Sequence, residues 1–240
     1  MSEVRGWASP RAVRRYLHVQ SHMVPGRSDT FSLVADLVAS CPSPRPEILD
    51  LGCGDGALTA SILERSSGAS VTLVDFSDEM LRRAGERFGS DPRITFSKQD
   101  LNGGLPASLG ANRFDAVVSC YAIHHVQPEN HPRLYRQIRS ALRSDGFFVT
   151  GDRFEGESPA IASWETEQWV AWMADRAKEK FGLARSPAEI RQRQREFDHE
   201  LGGPYGSIWV ARDELKKAGF THVDCLYKNH LTTVLVALSR

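Results

Sequence analysis

The stretch Ile48–Leu63, ILDLGCGDGALTASIL, decides the fold. It opens as an apolar run of buried-strand character. It then passes through a turn carrying Gly52, Gly54 and Gly56, and continues with apolar residues at helical spacing. Glycine at a strand-to-helix turn admits positive φ and lets a ligand approach bare backbone, so the stretch reads as a nucleotide cradle. Gly52, Gly54 and Ala57 also satisfy the G-x-G-x-x-G/A pattern of dinucleotide sites. That match alone does not identify the nucleotide.

Outward from this stretch, strands and helices alternate. The sequence predicts strands at Glu47–Leu51, Ser70–Asp75, Ile94–Lys98, Ala116–Tyr121 and Gly146–Thr150, with helices near Gly56–Glu64, Asp78–Phe88 and Asn130–Leu142. Such alternation implies an α/β, doubly wound, Rossmann-like parallel sheet covered on both faces. Upstream, Ser9–Val24 reads as a helix ended by Pro25 and Gly26, and SDTFSLVADLVAS reads as a second helix with Ser28 as its N-cap. Beyond Asp152 the pattern changes. SWETEQWVAWMADRAKEKFG and SPAEIRQRQREFDHEL are long helical segments with no strand between them. Helix ARDELKKAGF then leads to HVDCLYKN and LTTVLVALS, close enough in sequence to pair as an antiparallel hairpin. The expected organisation is a helical N-terminal cap over 1–44, a main domain over 45–240, and within it a helical lid insertion over about 155–206.

Composition narrows the class. Thirty Lys and Arg balance thirty Asp and Glu, so no global field favours nucleic acid or an anionic membrane. No apolar run approaches the roughly 20 residues of a membrane span, and the N-terminus lacks an apolar signal core. Cys41, Cys53, Cys120 and Cys225 show no C-x-x-C spacing and read as packed thiols of a reducing compartment, hence an expected cytoplasmic location.

The nucleotide follows from the acids. VTLVDFS ends in Asp75, twenty-five residues after Asp50, where an acid takes ribose hydroxyls. The third strand ends in SKQDL, which brings Asp100 to the same crevice. Carboxylates at Asp50 and Asp55 beside the glycine turn repel a pyrophosphate but not a cationic, phosphate-free nucleotide. The terminal hairpin also stands where a second mononucleotide-binding half would be. Both features favour S-adenosylmethionine over NAD.

LDLGCGDG, VDFSDEML, KQDL, FDAVVSCYAIHHV and LRSDGFFVTGD stand in an order and spacing that resemble the class I S-adenosylmethionine-dependent methyltransferases over roughly residues 45–240. The resemblance implies a seven-stranded sheet of order 3-2-1-4-5-7-6 and a role for individual residues. Asp50 and the Gly52 and Gly54 backbone would hold the methionine end of the cofactor. Asp75 would take the ribose diol and Phe76 would pack on adenine. Asp100 would accept from the adenine amino group with the Leu101 amide nearby, and Ser119 and Tyr121 would face the sulfonium. SHMVPGRSDTFSLVADLV, SPAEIRQRQREF and ELKKAGFTHVDCLYKNHLTTVLVAL further resemble carboxy-S-adenosylmethionine synthase and its methyltransferase relatives. Two departures stand out. A tyrosine that follows Val-Pro-Gly there is Arg27 here, and an arginine used for the extra carboxylate there falls at Arg193 or Arg195.

Other residues carry competing readings. His124 and His125 are adjacent and cannot both face one ion from a regular element, so structural positioning is favoured over a metal. His18 and His22 sit four apart on one helical face without a carboxylate or cysteine partner. Trp164, Trp169 and Trp172 line a substrate pocket or pack the insertion onto the sheet, and packing is favoured for at least two of them. The arginines of IRQRQRE and the stripe Arg11, Arg14, Arg15 read chiefly as solvated faces. Asp152, just past the fifth strand, is expected at the crevice rim.

The expected activity is methyl transfer from S-adenosyl-L-methionine to a small-molecule acceptor, and Arg27 is expected to pair with the cofactor carboxylate. The alternative is chemistry on the cofactor itself, either carboxylation of its methyl group or cyclisation or cleavage of its aminocarboxypropyl arm. Tyr121, His124, His125 and Asp152 are the base candidates for an oxygen nucleophile, with Tyr121, His124 and Asp152 foremost. A small-molecule substrate is expected as partner, nucleic acid and membrane are not, no metal is expected, and a homodimer is left open.

Overall fold

A computed structural model of the chain describes residues 24–201, 203 and 205–239. The expected helix over Ser9–Val24, with His18, His22 and the Arg11, Arg14, Arg15 stripe, lies outside the described residues but for Val24.

The core is one sheet built from β1 (Glu47–Leu51), β2 (Ser70–Asp75), β3 (Ile94–Lys98), β4 (Phe114–Cys120), β5 (Leu142–Glu155), β6 (Tyr205–Ser207), β7 (His222–Asn229) and β8 (Thr232–Leu238). Their spatial order is β3-β2-β1-β4-β5-β8-β7, with β6 added to β5 off this path. Strands β1 to β5 run parallel, and β8 runs antiparallel to both β5 and β7. This is the expected 3-2-1-4-5-7-6 path, with the last two strands renumbered because β6 intervenes. The sequence reading missed β6, whose Tyr205 and Ser207 pair with Phe154 and Glu155. Three residues around Gly206 have no periodicity of their own. Only the overhang of β5 makes them a strand.

Strand β5 is far longer than the expected Gly146–Thr150 because its end is held from outside: Gly151, Asp152 and Arg153 pair with Val234, Thr233 and Thr232 of β8. Strand β4 begins at Phe114 rather than Ala116 and stops before Tyr121, which turns out of the sheet at φ 56°.

Side-chain alternation divides the core between two faces. On one face Leu49, Leu51, Val117 and Phe148 meet Leu134, Tyr135 and Ile138 of α4 (His131–Ala141) and Leu215 of α7 (Ile208–Lys217). On the other, Ile48, Leu73, Ala116, Val118 and Val149 meet Val34, Ala35 and Val38 of α1 (Arg27–Ala39), Leu58 and Ile62 of α2 (Ala57–Arg65), and Ala84 of α3 (Asp78–Phe88). Helix α1 starts one residue earlier than expected. Its N-cap is Gly26 at φ 68°, whose carbonyl accepts from the Thr30 amide at 2.8 Å, and not Ser28.

The insertion forms α5 (Pro159–Phe181) and α6 (Pro187–Leu201). Trp169, Val170 and Met173 of α5 cluster with Ile190 of α6, Leu231 of the terminal hairpin and Val24 before α1. Burying side chains of this size contributes about 1.5–3 kcal/mol each. Trp172 packs against the same cluster, whereas Trp164 is exposed. Two ion pairs tie the insertion to the sheet: Arg153 with Asp198 at 2.7 Å and Lys228 with Glu165 at 2.9 Å.

Candidate functional site

The C-terminal ends of β1, β2 and β4 open onto a crevice lined by residues from Arg27 to Val126 and open to solvent. Its position suits a small ligand, because parallel α/β sheets bind at this end of their strands.

The glycine turn forms its floor. Gly52, Gly54 and Gly56 have φ of 68°, 55° and 76°, which other residues adopt only with strain. Gly52 also lies against the opposite wall, where a Cβ in its place would fall 2.2 Å from the Ala122 Cβ. The Gly52 and Cys53 amides donate to the Val74 carbonyl at 2.7 and 3.0 Å, so the turn hangs from β2.

Each expected acid has a distinct setting. Asp75 is buried, and its two oxygens accept from the Gly54 amide at 2.9 Å and the Ser77 amide at 2.8 Å. Burial pushes its carboxyl up from the ordinary range, and the amides pull it partly back. Asp50 is 1% exposed, and among the described residues it has one hydrogen bond, from the Thr59 hydroxyl at 2.6 Å. Burial, reinforced by Asp75, raises its carboxyl to about 7 against the pull of Thr59. Asp100 is exposed, and one of its oxygens accepts from the Asn102 amide and side chain at 2.9 and 3.0 Å. Phe76 and Leu101 line the crevice beside these acids.

The sequence predicts that Asp50 and Asp55 repel a pyrophosphate. The structure corrects this for Asp55, because Arg87 pairs with the Asp55 carboxylate at 2.7 Å and donates to its carbonyl at 2.8 Å.

The opposite wall comes from α1 and the segment after β4. The Arg27 guanidinium lies 4.1 Å from the Phe31 ring centre, and both residues line the crevice. Tyr121 lies 6.4 Å from Phe31 between ring centres and donates its hydroxyl to Thr30 Oγ1 at 3.4 Å. Burial pushes its phenol up, out of the range of a base at neutral pH.

Three expected site residues do not line the crevice. Ser119 is fully buried and donates to the Leu51 carbonyl at 2.8 Å, on the sheet face away from the cavity. Alternation explains this: Asp50 pairs with Val118, so Cys120 and not Ser119 shares its side. His124 and Asp152 bond to each other in the interior, with side chains 4% and 1% exposed, and not at the rim. It is His125, the neighbour, that lines the crevice. Arg193 and Arg195 are exposed on α6, where Arg195 donates to Gln192 at 2.6 Å.

The donor set fits a cationic nucleoside. Asp50 is a buried carboxylate with one hydrogen-bond donor among the described residues, a setting that an ammonium or sulfonium completes and a phosphate worsens.

Comparison with known proteins agrees. Residues 48–146 match the family model described as a methyltransferase domain. Fold, crevice and domain define a class: the chain is a transferase with the S-adenosylmethionine-dependent methyltransferase fold, and S-adenosylmethionine is its cofactor or substrate. Among relatives, it is 24% identical over 210 residues to the carboxy-S-adenosyl-L-methionine synthase of Aeromonas salmonicida, covering 85% of this chain and 79% of that one. It is 36% identical over 141 residues to an uncharacterized methyltransferase of Mycobacterium tuberculosis, covering 56% of this chain and 64% of the relative. The human N-acetylserotonin methyltransferase, solved in complex with S-adenosylmethionine, superposes with a TM-score of 0.63 at 18% identity, a likeness of fold. That match covers 97% of this chain and 57% of the human one. Among the described residues no helix is long and apolar enough to cross a membrane.

Proposed function

We propose that the chain transfers the methyl group of S-adenosylmethionine to a small-molecule acceptor. The observation that carries this reading is the juxtaposition in one crevice of buried Asp50 with Arg27, Phe31, Tyr121 and His125. In this reading Asp50 and the Gly52 and Gly54 backbone hold the methionine end, and Arg27 pairs with its carboxylate. Asp75 takes the ribose diol through the second lone pairs of its oxygens, Phe76 packs on adenine, and Asp100 and the Leu101 amide meet its edge. Bound there, the cofactor supplies an already electrophilic methyl group. The protein's task is alignment, which supplies roughly 7–11 kcal/mol of such barriers. Tyr121 borders the reacting end, and His125 replaces His124 as the imidazole placed to take a proton from an oxygen acceptor.

Residues 1–44 and the insertion over about 155–206 are read as cap and lid. Support comes from Val24, which joins the Trp169 cluster three residues before Arg27. A cytoplasmic location fits four free cysteines.

A second reading, chemistry on the cofactor itself, draws on the 24% identity to a carboxy-S-adenosyl-L-methionine synthase and on the cationic Arg27 in the crevice. Mass spectrometry of the nucleoside product separates the two. S-adenosylhomocysteine formed in step with a methylated acceptor supports methyl transfer. Methylthioadenosine or a carboxylated nucleoside supports the second reading and overturns the first.

A further inference from the structure

We propose that Asp152 and His124 are positioning residues, a buried carboxylate–imidazole pair that aims His125 into the crevice and sets its protonation. The inference rests on the crevice being the methyl-transfer site. The short 3-10 turn Ile123–His125 carries both histidines, and successive residues of such a turn point in different directions. His124 turns inward to Asp152, while His125 lines the cavity.

One carboxylate holds this arrangement. Asp152 accepts from the His124 ring through Nδ1 and from the His124 backbone amide at 3.2 Å, fixing side chain and main chain together. It also accepts from the Arg153 amide at 2.8 Å. Asp152 is an anchored support, since it sits in the β5–β8 ladder opposite Thr233 and is fully buried. A carboxylate on Nδ1 selects the ring tautomer and orientation of its histidine. The His124 ring in turn is the surface against which His125 packs, with centres 3.8 Å apart and planes at 48°. Neither His124 nor Asp152 reaches the cavity lining, so both act through His125.

The pair also acts electrostatically. A negative charge behind the two packed rings should favour the protonated form of His125. Other charged or titratable groups line the same crevice. Arg27, Asp50, Asp55, Asp75 and Asp100 share it with His125, as do Cys53, Cys120 and Tyr121. On the far side, His131 at the start of α4 feels the charge of Asp152. Asp152→Asn removes one negative charge and leaves these side chains in place, although His131 and Cys120 also feel the charge that is lost.

The test is an NMR titration of the histidine rings in the complex with S-adenosylhomocysteine, for wild type, Asp152→Asn and His124→Asn. In wild type, His124 should carry its proton on Nδ1. In Asp152→Asn the His125 midpoint should fall by about 0.5 pH units or more. His124→Asn keeps a donor for Asp152 but removes the ring packed on His125, and the His125 midpoint should move there as well. If Asp152→Asn does not fold, His124→Asn decides. A His125 midpoint that stays put in the folded variant, or rises in Asp152→Asn, overturns the proposal. The same samples keep the two readings apart. Wild type that fails to bind S-adenosylhomocysteine overturns the crevice reading, whereas binding with an unmoved His125 overturns only the positioning role.

Discussion

The Asp75 carboxylate accepts from the Gly54 amide at 2.9 Å, twenty-one residues back in the chain, and so joins the end of β2 to the turn that leaves β1. With the Ser77 amide on its other oxygen, it braces the strand end and the glycine turn into one cradle. Preorganisation of this kind places ligand-binding groups before the ligand arrives.

Replacing Asp75 with alanine should therefore cost more than a ligand contact. It leaves the Gly54 and Ser77 amides without their acceptor, at about 1–3 kcal/mol for each that stays buried. Denaturant melts should show the loss without ligand, and calorimetry should show weaker binding of S-adenosylmethionine. Asp75→Asn, which keeps acceptor oxygen, should fall between. Wild-type stability and affinity in Asp75→Ala would remove this residue from the cradle.

Gly52→Ala should be worse for a different reason. The new Cβ meets the Ala122 Cβ and the backbone sits at φ 68°. The left-handed conformation alone costs about 1–2 kcal/mol for a residue with a Cβ. Ala122→Gly in the same chain should recover part of the loss in a urea melt, since it relieves the collision and not the conformation. A Gly52→Ala variant as stable as wild type would contradict the close approach of the two walls.

Much of this fold could be read from the chain, because strand ends and glycine turns are local signals. β1, β2, β3 and β7 fall where alternation and turn residues put them. β6 and the far half of β5 escaped, since partners distant in sequence create them. The site divides the same way. Asp50, Asp75 and Asp100 sit at or just past strand ends, and their place in the crevice lining was legible. Ser119 was misplaced although strand parity already separated it from Asp50. The exchange of His124 for His125 depends on Asp152, 28 residues away, drawing one ring inward. No local pattern reports that.

The Asp50 carboxyl, raised to about 7 by burial, predicts pH-dependent binding. A cation holds Asp50 ionised, so binding below pH 7 releases a proton, and affinity should rise with pH up to about 7 and level off above. The slope approaches about tenfold per pH unit at its steepest. Methylthioadenosine, with neither sulfonium nor ammonium, should show no such rise. Calorimetry in buffers of different ionisation enthalpy reads the proton directly. Stability of the ligand-free protein should run the other way. The folded-state value lies above the ordinary 3.8, so this contribution is full below that value and is lost as pH rises through about 7. Affinity independent of pH between 5 and 7 would mean that Asp50 does not face the cation.

Arg27→Ala should weaken S-adenosylmethionine about tenfold or more, the scale of a charge-assisted contact. It should scarcely affect methylthioadenosine, which lacks the carboxylate. Equal losses for both ligands in a calorimetric titration would mean that removing the Arg27–Phe31 stack merely disturbed α1. No loss for either would place Arg27 outside the site.

The central claim is that this crevice is built for a cationic, phosphate-free nucleoside. Titrating the protein with S-adenosylmethionine, S-adenosylhomocysteine and NAD in turn tests it most directly. The first two should bind with micromolar dissociation constants and displace one another, and NAD should release no measurable heat. NAD bound while S-adenosylmethionine is ignored would contradict the claim.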